Sequence, residues 1–103
     1  MRIEKEIRNC VINAVDIFQD RMLVPSIELK GESWGVCFGG YTGMEKSLGQ
    51  FLMKLFATLE VNSFNRLKGV SVRAVFIGNE IVGIGHIYKD QWFYPVNDLS
   101  WEN

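Results

Sequence analysis

An α+β fold is predicted: a mostly antiparallel sheet, one main amphipathic helix over about residues 45–60, a short second helical turn and a C-terminal hairpin. Three observations predict it. Several short runs rich in Val, Ile and aromatic residues stop at glycines or turn residues. One stretch alone carries a sustained apolar stripe at helical spacing. Gly78-Asn79-Glu80 separates two of the strand-like runs as a hairpin turn does.

The first run is ambiguous. Ile3, Ile7, Cys10, Val11, Ala14 and Phe18 fall at helical spacing, whereas Val11, Asn13, Val15 and Ile17 alternate as a strand does. No capping residue precedes Ile3, and the density of Val and Ile favours a strand. Gln19-Asp20-Arg21 is then a turn. Ser26–Lys30 alternates cleanly and ends at Gly31, and Trp34–Phe38 follows as a short third strand. These three form an antiparallel meander.

The helix comes next. Leu48, Phe51, Leu52, Leu55, Phe56 and Leu59 recur on one stripe, with Ser47 as N-cap and Glu45-Lys46 as a possible backward extension. Asn62 or Ser63 caps a further turn through Phe64 and Leu67, ended by Lys68-Gly69. Val70–Phe76 and Ile81–Tyr88 are the hairpin strands. Gly83 and Gly85, two apart, leave a flat stripe on one face, onto which a helix, an aromatic ring or a second subunit packs. Gln91–Pro95 is an aromatic edge strand. The tail from Val96 is polar enough to fray, apart from Leu99 and Trp101. Pro25 and Pro95 mark the ends of elements.

The 103 residues make one domain, 1–103. With 11 basic and 12 acidic residues the net charge is −1, which argues against a protein built to grip duplex nucleic acid. A small anion held by one or two arginines remains compatible with it. No apolar run spans a membrane, and the charged N-terminus has no signal core, so the expected location is the cytoplasm. Cys10 and Cys37 read as two reduced, buried thiols, and one histidine is too few for a zinc set. No metal or cofactor is expected.

Chemistry is hard to find. His86 is the single histidine, flanked by Gly85 and Ile87 in a strand. A structural role outweighs a ligand contact, and acid–base work ranks below both. There is no nucleophile elbow or P-loop, and the scattered acids offer no pair. An enzyme is the minority reading.

Binding has more support. Gly39-Gly40, flanked by Trp34 and Tyr41, leads toward a helix N-terminus, whose free N–H groups suit phosphate. A plain strand-to-helix connection is the competing explanation. Arg73 faces either solvent or an anion. Trp92 stacks on a base or belongs to core or interface. Asn62 caps a turn or reads a ligand edge. Phe51 is core by default and could also reach a subunit contact.

Four motifs run through the chain: W-G-x-x-F-G-G-Y at Trp34–Tyr41, L-x-G-x-x-V-R at Leu67–Arg73, I-x-x-I-G-H-I at Ile81–Ile87, and D-x-W-F at Asp90–Phe93. In these and in overall layout it resembles small phage and prophage proteins, and among them the first anti-Thoeris family. The resemblance implies a sponge that sequesters a cyclic ADP-ribose isomer, made by a bacterial TIR-domain enzyme, without degrading it. It implies a homodimer or higher oligomer in the host cytoplasm, with pockets near subunit contacts. Family members also hold cyclic oligonucleotides at a second kind of site. The ligand-binding residues expected are Trp34, Gly39, Gly40, Tyr41, Phe51, Asn62, Arg73, His86 and Trp92. The alternatives are a phage inhibitor that binds a host defence protein, such as a CRISPR effector, and a cyclic-nucleotide hydrolase using His86.

Overall fold

The computed structural model describes residues 4–20, 22–39 and 48–99. Expectations placed on Gly40, Tyr41, Ser47 and Trp101 lie outside these residues, as do those on residues 42–46. The fold class is the one expected. Strands β1 (Lys5–Asp20), β2 (Met22–Lys30), β3 (Gly35–Phe38), β4 (Ser71–Ile77), β5 (Glu80–His86) and β6 (Trp92–Phe93) form one sheet in the order β3-β2-β1-β4-β5-β6. Each neighbouring pair is antiparallel. Helix α1 (Leu48–Leu59), a 3-10 turn (Phe64–Arg66) and the short helix α2 (Pro95–Asp98) complete it. Among the described residues, no helix is long and apolar enough to cross a membrane.

The sheet curls around α1. Six strands laid flat would put the edge strands roughly 24 Å apart at ~4.8 Å per step. Yet Phe38 on edge strand β3 and Phe93 on edge strand β6 have ring centroids 6.2 Å apart. Phe51 of α1 touches both, at 5.7 and 5.3 Å, and all three are fully buried. Two bulges assist the curl, since an extra residue bends a strand and increases its twist. One is at Asn13, where pairing steps from Ile12↔Leu29 to Ala14↔Glu28. The other is at Val82, between the pairs Phe76↔Ile81 and Val75↔Gly83. Ile12, Ile27, Leu29, Val72, Ala74 and Ile84 line the inside. The helical stripe meets them as expected, with Phe51, Leu55, Thr58 and Leu59 buried.

On the outer face, the Gly83–Gly85 stripe is covered by rings of the chain itself. A methyl group on Gly83 would sit 2.6 Å from Cδ1 of Tyr94, and one on Gly85 would overlap the Trp92 ring, its cross-strand partner. Val75 beneath them is fully buried.

Several boundaries differ from expectation. The first turn is tighter: pairing runs out to Asp20↔Met22, so Gln19 and Asp20 are strand residues and β2 begins four positions early. Pro25 therefore lies inside β2, opposite Ile17, rather than at its end. Its carbonyl faces Gly39, and in a strand the nitrogen of a residue points the same way, so no bond to β1 is missing. Ile87 and Tyr88 leave the sheet. The aromatic edge strand shrinks to Trp92–Phe93 because Pro95 opens α2, where proline is preorganised for a first turn. Thus Val96, Asn97 and Asp98 are helical, and Asp98 Oδ2 accepts the Tyr94 N–H at 2.8 Å. Cys10 is buried, but Cys37 is exposed, because its partner Glu28 lies on the outer face.

Candidate functional site

Three of the expected residues come together. Arg73 and Gly85 pair across β4 and β5, and Gly85 pairs with Trp92 on β6. The Arg73 guanidinium lies 4.2 Å from the Trp92 ring centroid. Its Nε donates to the His86 carbonyl at 2.7 Å and its Nη2 to the Lys89 carbonyl at 2.6 Å. His86 Nδ1 accepts the backbone N–H groups of Tyr88 and Lys89 at 3.3 and 3.2 Å. Trp92 Nε1 donates to Asp90 at 2.6 Å. The group is an interlock that shapes the β5–β6 turn, and its principal donors are satisfied within the chain.

Other expected residues are also engaged. Trp34 packs edge-on against Phe76 at 5.4 Å, covers Gly31, and has the Arg8 guanidinium 5.7 Å from its ring. Arg8 is itself forked onto Glu6 at 3.0 and 2.9 Å, which holds the Glu6 carboxyl below its usual value. Phe51 is sealed in the ring cluster and offers no surface. Gly39 has φ +115°, and a Cβ there would sit 3.0 Å from the Pro25 carbonyl oxygen and 3.1 Å from Phe51. Both the backbone turn and the packing require glycine at that position. It borders a hollow of about 520 Å³ together with Phe18, Val24, Pro25, Cys37, Glu80 and Ile81. Among the described residues, that lining carries no cation and no amide side chain.

Asn62 lies elsewhere, in an open hollow of about 750 Å³ lined by Phe56, Ala57, Glu60, Val61, Asn62 and Arg66. The way α1 ends builds it. Glu60 is left-handed at φ +58°, and the Val61 N–H reaches back to the Phe56 carbonyl at 3.1 Å. This is a Schellman cap, with Phe56 and Val61 as its apolar pair. Glu60 stands where glycine is commonest. The 3-10 turn then brings Arg66 to the same hollow.

The polar groups of this hollow divide into two kinds. Among the described residues, no hydrogen bond or ion pair holds the Asn62 amide or the Arg66 guanidinium. Asn62 therefore does not cap the 3-10 turn, and neither does the Ser63 side chain. The Glu60 carboxylate is held. Lys89 Nζ donates to its oxygens at 2.9 and 2.7 Å, and Gln91 Nε2 donates at 3.0 Å. Lys89 first, then Gln91, keeps the Glu60 carboxyl below its usual value, and Glu60 raises Lys89. Gln91 Nε2 also donates to the Thr58 carbonyl at 3.0 Å, tying the turn to the helix end.

In the sequence Phe56 belongs to the core stripe, and no motif marks Glu60, Arg66 or Lys89. The Phe56–Val61 spacing, an apolar pair across a helix C-terminus, is the one local signal for this cap. No protein-family model, curated protein or solved structure matches this chain.

Proposed function

We propose that the protein binds and sequesters a cyclic nucleotide signal, a cyclic ADP-ribose isomer, and releases it chemically unchanged. The resemblance to anti-Thoeris proteins supplies the ligand class. The hollow past α1 is the observation that carries its placement. It is of ligand size and combines an aromatic ring, an unengaged amide and an unengaged guanidinium. A nucleotide asks for those three: a surface for the base, an amide for a base or ribose edge, and a fork for phosphate. His86 Nδ1 accepts two backbone N–H groups, which favours a structural role over hydrolysis.

Self-association belongs to this reading. Ile7 and Val11 lie exposed on the outer face of β1 at 51% and 40%, and a second copy would cover them. Sequestration in the host cytoplasm depends on slow release rather than turnover.

Titration calorimetry with cyclic ADP-ribose, followed by heat denaturation and mass analysis of the released ligand, tests the proposal. Saturable binding with the ligand returned intact is expected. A cleaved product would make the protein an enzyme, and absence of binding to any TIR-enzyme product would remove the reading.

A further inference from the structure

The carboxylate on the rim of an anion site calls for explanation. An uncompensated Glu60 beside the hollow would repel phosphate. In the structure it is compensated by one residue outside the lining, Lys89, at 2.9 and 2.7 Å from its two oxygens. Lys89 is itself placed by the interlock. His86 Nδ1 accepts its N–H, and Arg73 donates to its carbonyl. Arg73 and His86, expected from the sequence as ligand contacts, thus position the side chain that neutralises the rim.

We propose that Lys89 is a specificity-determining positioning residue: by pinning and neutralising Glu60, it lets the hollow accept an anionic ligand. The proposal rests on the hollow being the binding site. Lys89 needs no contact with the ligand. It acts through the charge balance at the rim, which is even in the native pair. Removing Lys89 leaves an unneutralised carboxylate, held by the neutral Gln91 amide, facing the ligand. Removing the charge of Glu60 leaves a free ammonium. Removing both restores the balance.

This fixes an order of affinities. Cyclic ADP-ribose serves as the anionic probe. Each variant is first checked by circular dichroism and thermal melting; both side chains lie at the surface, 45% and 42% exposed, so the fold should hold. At low salt, Glu60→Gln binds most tightly, the native protein and the Lys89→Met/Glu60→Gln double variant bind alike, and Lys89→Met binds most weakly. Each uncompensated charge shifts affinity by about threefold to tenfold at a wet site. In 1 M salt the spread collapses, because the screening length falls to about 3 Å.

Equal binding by Lys89→Met and the native protein overturns the proposal. So does a double variant as weak as Lys89→Met, which would make Lys89 a direct contact or a structural prop. Failure of the binding-site reading looks different. There, Arg66→Ala leaves cyclic ADP-ribose binding unchanged, or the native protein does not bind it; either result removes the proposal along with the reading.

Discussion

Strand β6 and the hollow past α1 are neighbours through the β5–β6 turn, yet they treat polar groups in opposite ways. Around β6 the side chains close on one another. Phe93 faces inward to Phe38 and Phe51, and Trp92 faces outward over Gly85, under the Arg73 guanidinium. Around the hollow, among the described residues, Asn62 and Arg66 are unengaged and only Glu60 is tied. A residue's type nominates it for recognition, but whether its donors are free decides the matter. Arg73 and Arg66 carry the same guanidinium, and the fold gives one a structural task and leaves the other open.

The seam at β6 is the place to break this contrast with the largest effect. Phe93 joins the two edges of a curled sheet, so its loss opens a void that α1 alone cannot fill. Phe93→Ala is expected to lower unfolding stability by about 3–5 kcal/mol, read from urea denaturation. A loss below about 1 kcal/mol would mean that the edges do not depend on each other.

A smaller effect is expected on the outer face of the sheet. Gly85→Ala forces the Trp92 ring off its seat and disturbs the Arg73 stack above it. Overpacking of this kind costs about 1–3 kcal/mol. The tryptophan emission should shift to the red as the ring gains water. Unchanged stability would show that Trp92 has room to move and that the interlock is loose.

These cases show why part of the molecule was legible in the sequence and part was not. The α1 stripe and the Gly83–Gly85 stripe are periodic, and periodicity reports which face is covered. The sequence alone could not show that Trp92 and Tyr94 do the covering, because strand pairing brings β6 beside β5. The length of β2 was hidden by Pro25, which usually ends a strand but here turns its nitrogen away from β1. The hollow was least legible. It depends on a left-handed Glu60 where glycine would have been the signal, and on a lysine arriving from 29 positions away.

The two thiols extend the contrast to a measurable titration. Cys10 sits inside the curl, and burial pushes its thiol up to about 11, whereas Cys37 is exposed. An acid whose value is raised on folding stabilises the fold fully below its unfolded value and less as pH rises through the folded one. The window here opens near the ordinary thiol value, 9.0, and closes near 11. The urea midpoint should fall across that window, and Cys10→Ala should remove part of the fall. A thiol reagent added to the native protein should label Cys37 promptly and Cys10 only on unfolding. Equal labelling would place Cys10 on the open side.

The two arginines give the sharpest comparison, and Arg66 the smallest stability effect. Arg73→Ala leaves two carbonyls without their donor and uncovers Trp92, and lost bonds to a charged group cost about 1.5–3 kcal/mol. Arg66 is exposed and bonds to nothing among the described residues, so Arg66→Ala should stay within about 0.5 kcal/mol of native. Binding should respond directly to Arg66. A phosphate fork removed from the rim weakens cyclic ADP-ribose binding by about tenfold, or about 1.4 kcal/mol, with no change in melting temperature. If Arg66→Ala instead destabilised the fold and left binding alone, its guanidinium would be doing structural work like that of Arg73, and the distinction drawn between the two regions would fail at its simplest point.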